Sequence, residues 1–165
     1  MKLLIFSDSH RMLGSMVEAV EEELPDQIFH LGDLERDAQY LADRFPHIPI
    51  CSVPGNCDLS PSEAYTKLVT VGGKSFFLNH GHTYRVKYGY DAIINAACVA
   101  RADVLLFGHT HLPYYTDVNG LKVINPGSVG YGGTYGVMQI ENGKIIEDYE
   151  DELAAALEAV KADQE

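Results

Sequence analysis

The sequence predicts an α/β fold with an α+β character in its second half, and three observations carry that expectation. Apolar strand-like runs alternate with amphipathic helical spacing through the first third. Glycine-centred hairpin signals follow. Polar residues of metal-ligating type recur where the apolar runs stop.

Lys2 to Ser7 reads as a buried strand with Asp8-Ser9-His10 at its end. Met12, Met16, Val17, Val20 and Leu24 recur at helical spacing, Glu18, Glu21, Glu22 and Glu23 lie largely opposite, and Pro25 stands just past the end. That is the pattern of an amphipathic crossover helix. Gln27 to Leu31 is a second strand running into Gly32-Asp33. Ala38 to Phe45 is a short helix, and Ile48 to Val53 a third strand running into Pro54-Gly55-Asn56. Strand-helix-strand crossovers generate parallel neighbours, so these strand ends are expected along one edge of one sheet, where open sheets bind ligands.

Leu68 to Val71 and Ser75 to Asn79 flank Gly72-Gly73 as a hairpin whose second arm ends at His80. Tyr90, Ile93, Ile94, Ala97 and Cys98 restore helical spacing before an apolar strand, Asp103 to Phe107, that leads into Gly108-His109-Thr110-His111. Two more hairpins follow: Tyr114 to Val118 with Leu121 to Ile124 around Asn119-Gly120, and Gly136 to Ile140 with Lys144 to Tyr149 around Asn142-Gly143. The last third is therefore expected to be antiparallel. Glu152 to Ala162 reads as a helix with a thin apolar stripe of Leu153, Leu157 and Val160.

A length of 165 residues and a hydrophobic content of 46% suit one domain spanning 1–165. No apolar run approaches the roughly 18 residues a membrane helix needs, so a soluble, unexported, cytoplasmic protein is expected, with no membrane partner. Cys51, Cys57 and Cys98 form no disulfide framework or zinc knuckle and fit a reducing compartment. A formal charge of −12 argues against extended nucleic-acid binding, although bound cations could make one pocket locally positive.

The strongest signal is the recurrence of Asp8 and His10, Asp33, Asn56, His80, then His109 and His111 at successive strand ends. Singly, each residue could cap a helix, form a turn or sit hydrogen-bonded in the core. Jointly, buried carboxylates and imidazoles converging at one sheet edge call for a cation. In extended chain, alternate side chains point the same way, so Asp8-x-His10 and His109-x-His111 can each address one cavity. Oxygen and imidazole donors suit manganese, iron or zinc. A shared carboxylate, for which Asp33 is the candidate, would hold two ions about 3.5–4 Å apart. His30 and His47 lie outside the recurrence and are expected to be ordinary surface or loop histidines.

Asp8-x-His10, Gly32-Asp33, Gly55-Asn56-Cys57-Asp58, His80-Gly81-His82 and Gly108-His109-Thr110-His111 resemble, in order, the motifs of calcineurin-like metallophosphoesterases. Asn125-Pro126-Gly127-Ser128 resembles the compact YfcE-type phosphodiesterase branch. The resemblance implies a four-layer α-β-β-α sandwich of two mixed sheets, the metallo-dependent phosphatase fold. It also implies two divalent metal ions: manganese by family preference, with zinc, iron or nickel as alternatives. Asp8, His10, Asp33 and His111 would hold the first ion, and Asp33, Asn56, His80 and His109 the second. Asp33 and Asn56 would also serve the catalytic step, with Asp58 supporting its loop and His82 near the substrate.

The implied reaction is in-line attack of a metal-bridging hydroxide on a small phosphate ester. Relatives that cleave monoesters often carry histidine after the Gly-Asn pair; here the residue is Cys57. A thiol is a poorer positioned acid than imidazole, which favours diesters with good leaving groups. Cys57 could equally be a small buried thiol. Tyr84, Tyr88, Tyr90 and Tyr131 could border a pocket, although a rim or helix-sheet contact is their commoner place. The alternative to an enzyme is a non-catalytic interaction scaffold of the same fold, as in the retromer subunit. Exposed sheet edges would allow homo-oligomers.

Overall fold

The computed structural model describes residues 1–146. The expected helix from Glu152 to Ala162 lies outside the described residues, as do residues 147–149 of the last expected strand. In chain order the elements are β1 (Lys2–Phe6), α1 (Leu13–Glu23), β2 (Gln27–His30), α2 (Glu35–Arg44), β3 (Ile50–Ser52), β4 (Thr66–Val71), β5 (Lys74–Asn79), α3 (Asp91–Val99), β6 (Val104–Leu106), β7 (Pro113–Val118), β8 (Leu121–Pro126), β9 (Gly136–Glu141) and β10 (Lys144–Ile146).

These strands form two five-stranded sheets, ordered β10-β9-β1-β2-β3 and β4-β5-β6-β8-β7. In the first, β1, β2 and β3 are parallel, and β9 joins β1 antiparallel, carrying β10 with it. In the second, β5, β6 and β8 are parallel, with β4 and β7 antiparallel at the edges.

The two-residue period of a strand divides each sheet into two buried faces. Leu3, Ile5, Phe29 and Leu31 meet Phe76, Leu78, Val104 and Leu106 in a core between the sheets. Leu4, Phe6 and Ile28 turn the other way, onto Met16 and Val20 of α1 and Leu41 of α2. Phe77, Leu105 and Phe107 cover Ile93 and Ala97 of α3. The result is the expected four-layer sandwich of two mixed sheets.

Several expectations need correction. The last third is not uniformly antiparallel, because β8 pairs antiparallel with β7 but parallel with β6. Met12 and Leu24 are 49% and 77% exposed, since each stands just outside α1, Leu24 as its left-handed cap. Cys98 faces solvent rather than the core side of α3. Asp8, Asp33 and Asn56 follow β1, β2 and β3 of one parallel set, as expected, but His80, His109 and His111 follow β5 and β6 of the facing sheet, so the whole recurrence does not line one sheet.

Candidate metal centre

Asp8 is fully buried at the end of β1. Its Oδ2 accepts hydrogen bonds from the Ser7 hydroxyl at 2.6 Å and the His109 amide at 3.0 Å. Among the described residues its Oδ1 has no hydrogen-bond partner, although three imidazole Nε2 atoms surround it: His111 at 3.1 Å, His80 at 3.7 Å and His10 at 3.8 Å. His10 Nε2 is likewise buried and unpartnered. An unsatisfied buried carboxylate oxygen is costly, and lone pairs converging on one space fit a divalent cation.

Asp33 lies opposite. Its Oδ1 accepts the Cys57 amide at 2.9 Å, and its Oδ2 lies 3.4 Å from His80 Nε2 and 3.9 Å from His10 Nε2. Burial alone would raise its pKa, but the hydrogen bond and charge of His80 and the Cys57 amide outweigh it and hold the carboxyl well below the usual range. For His80, burial favours the neutral ring, yet the carboxylates of Asp33 and Asp8 raise its pKa on balance. Its Nδ1–H donates to the Leu31 carbonyl at 2.7 Å, which points Nε2 into the site. That Nε2 also lies 3.1 Å from Asn56 Oδ1. The Nδ1 bond to the Leu31 carbonyl is the usual way a ligating imidazole is oriented.

Among the described residues three overlapping donor groups result: Asp8, His10 and His111; Asp8, Asp33 and His80; and His10, Asp33 and Cys57. Within each, the ligand atoms lie inside 4.8 Å of one another. His109 belongs to none of them; its ring packs 5.1 Å from that of His80, and burial, followed by the charges of His80 and Lys87, pushes its pKa down to about 4. Asp8 and His10 share one donor group, as the D-x-H spacing suggested, but not through strand alternation. Asp8, His10, Asp33, His109 and His111 all have φ between 43° and 72°, so left-handed turns aim these side chains. His111 turns to Asp8 and His10, while His109 turns to His80. Backbone held in this region at a functional cluster needs support from its surroundings.

That support is a layer of buried polar residues that the pattern of strand ends does not reveal. His30, expected at the surface, is fully buried. The Gly32 amide donates to its Nδ1 at 3.3 Å, which leaves Nε2–H to donate to Ser9 Oγ at 2.9 Å. The Ser9 hydroxyl in turn lies 2.7 Å from Asp37 Oδ2, which also accepts the Arg11 amide at 2.8 Å. Burial drives the His30 pKa down to about 4 against the opposing charge of Asp37. This relay ties the Asp8-His10 turn to Gly32-Asp33. Asn125 Nδ2 donates to the Gly108 carbonyl at 3.1 Å and to Thr110 Oγ1 at 3.0 Å, and the Ser128 hydroxyl donates to the Asp8 carbonyl at 2.8 Å. Two glycines allow the close approach: a Cβ on Gly55 would stand 1.9 Å from Asp33 Oδ1, and one on Gly108 1.8 Å from Ser7 Oγ.

Asp58 is occupied by its loop, accepting the Gly55 and Glu35 amides, each at 2.8 Å. His82 is half-buried, with its ring 5.4 Å from His80 and 6.0 Å from His109, and its Nδ1 lacks a partner among the described residues. Burial and the charge of His80 lower its pKa. Cys57 is exposed, which removes the buried-thiol reading. Partial desolvation on the side facing the site, the hydrogen bond to Asp33 and the surrounding carboxylates push its pKa up to about 11. Tyr131 stacks 5.3 Å from His111 and lies 5.0 Å from His10, on the rim. Tyr84 and Tyr90 pack instead against Phe77 and Phe107, and Tyr88 is exposed. His47 is exposed, as expected.

Residues 1–143 match the family model of the calcineurin-like phosphoesterase superfamily domain. The probable metallophosphoesterase YsnB of Bacillus subtilis is 29% identical, over 96% of this chain and 95% of its own length. The phosphodiesterase YfcE of Escherichia coli is 28% identical, over 84% and 87%. Among solved structures, a predicted phosphoesterase of Streptococcus pneumoniae superposes with a TM-score of 0.72 at 24% identity, covering 86% of this chain and 83% of that one. Vps29 of Entamoeba histolytica complexed with zinc gives 0.71 at 18% identity, covering 88% and 89%. At such identities the superpositions speak to the fold alone.

Proposed function

This chain belongs to the calcineurin-like phosphoesterase superfamily, and on that footing we propose that it is a phosphodiesterase that uses two divalent metal ions. The carrying observation is Asp8 Oδ1, buried among three imidazole nitrogens without a hydrogen bond from any described residue. Asp8, His10, Asp33 and His111 would hold one ion; Asp33, Asn56, His80 and His109 would hold the other. Bound divalent cations lower the pKa of a coordinated water toward neutrality and would neutralise charge on phosphoryl oxygens. Manganese is the family-based preference, and the same donors accept zinc or iron.

The protein's own part is placement. Asp33 keeps Oδ2 open toward both histidine groups because the Cys57 amide occupies Oδ1. Asp58 braces the Gly55 turn that presents Asn56. His82, half-buried beside His109 and the exposed Tyr65, stands where a substrate oxygen would approach. The thiol at Cys57, where monoester-cleaving relatives often have histidine, leaves a poorly acidic leaving group without imidazole assistance. A groove of about 400 Å³ lined by Lys87, Tyr90, Thr110 and Leu112 shares Thr110 with the His109–His111 turn and has room for a second ester substituent. The free cysteines suit a reducing cytoplasm. Among the described residues no helix is long and apolar enough to cross a membrane.

The likeness to Vps29 keeps an interaction scaffold as the second reading. One experiment separates the two: purified protein reconstituted with manganese, zinc or iron and assayed across monoesters, diesters and cyclic nucleotides. Diester hydrolysis that needs added metal supports the enzyme, and no metal-dependent hydrolysis of any ester would leave the scaffold.

A further inference from the structure

Cys57 lies with His10 and Asp33 in a group whose ligand atoms, Sγ included, all fall within 4.8 Å of one another. Ligand atoms around a single ion at about 2.0–2.3 Å each stand at such separations. The sulfur is held in place from two sides. Its own amide is fastened to Asp33 Oδ1 at 2.9 Å, and Asn56 Nδ2 points at Sγ from 3.7 Å. Among the described residues His10 Nε2 has no hydrogen-bond partner, and Asp8 Oδ1, on a fully buried side chain 3.8 Å from that nitrogen, has none either.

Building on the metal-dependent reading above, we propose that the Cys57 thiolate is a ligand of the ion held by His10 and Asp33, making that position a mixed nitrogen, oxygen and sulfur site for a thiophilic divalent cation such as zinc. The thiol proton goes to solvent as the sulfur–metal bond forms, one proton per ion. A soft thiolate favours zinc or cobalt over manganese, which prefers oxygen. It also accounts for the missing leaving-group acid, because a metal-bound thiolate has no proton to give.

Cobalt titration tests this without reference to turnover. Wild-type protein should develop ligand-field bands together with a near-ultraviolet sulfur-to-cobalt charge-transfer band. Cys57→Ser should keep the ligand-field bands, lose the charge-transfer band, and bind zinc roughly 10–100-fold more weakly. Ligand-field bands in the wild type without charge transfer would overturn the sulfur ligand and leave the metal centre standing. Absence of any cobalt spectrum would overturn the metal centre and this inference together. Alkylation of the wild type gives a check that needs no variant, with Cys98, exposed on α3, as the internal control. Saturating zinc should slow modification of Cys57 about tenfold or more while Cys98 reacts unchanged; equal rates at Cys57 with and without zinc would contradict the proposal.

Discussion

Asp8 Oδ1 and His30 show how differently two buried polar atoms can be treated in one site. The carboxylate oxygen is left open among imidazoles, whereas His30 is closed on both nitrogens and held neutral. The unfolded chain takes up a proton at His30 near pH 6.5, while the folded protein resists it down to about 4. Its stability contribution is therefore complete above pH 6.5 and is lost as pH falls toward 4. In chelator-treated protein, urea denaturation should show the wild type losing on the order of 2 kcal/mol more than His30→Asn between about pH 7 and about pH 5. Parallel pH profiles would contradict the buried, neutral ring. Cys57 bears on specificity: if the missing imidazole limits monoester cleavage, Cys57→His should raise monoester turnover relative to diester turnover. An unchanged ratio in paired kinetic assays would reject that account. His30 escaped the sequence reading because a support residue is chosen for its neighbours and carries no spacing. A clue was present in Asp37, a carboxylate four residues before Leu41 on the buried face of α2.

The elements that carry the site are short strands ending in left-handed turns, and the turns depend on glycine at the points of closest approach. Gly108 is the sharpest case, since a Cβ there would meet Ser7 Oγ at 1.8 Å and Asp8 Oδ2 at 2.8 Å. Gly108→Ala is expected to cost about 1–3 kcal/mol through overpacking, and to weaken metal binding roughly 10–100-fold by displacing Asp8. Urea unfolding and calorimetric titration with manganese measure the two effects. Gly14→Ala, in open space on α1, is the control and should be stabilising by up to about 1 kcal/mol. Ordinary affinity in Gly108→Ala would show that Asp8 is not fixed by this contact. The hairpins were legible because Gly72-Gly73, Asn119-Gly120 and Asn142-Gly143 supply positive φ where a tight turn requires it. The aim of His10 and His111 was not, because a histidine in left-handed backbone leaves no compositional mark and extended geometry was the natural assumption.

At the scale of the whole molecule, two parallel strand sets from facing sheets bring their carboxyl ends to one place. Residues as distant in sequence as Asp8 and His109 thereby share a hydrogen bond. The layers were readable from alternation, since Leu3 and Ile5 face one core and Leu4 and Phe6 another. Which sheet each strand joins was not, because β8 looks the same in sequence whether its neighbour β6 runs parallel or antiparallel. A formal charge of −12 makes an unpaired cluster of further carboxylates unfavourable, so a cation bound at the centre would also relieve repulsion across the molecule. The most direct test is the rate of bis-aryl phosphate hydrolysis by metal-loaded wild type and Asp33→Asn, with circular dichroism confirming that both are folded. The account predicts metal-dependent turnover in the wild type and a sharp loss in the variant, on the order of 100-fold or more; near-normal turnover in a folded Asp33→Asn would contradict the bridging carboxylate.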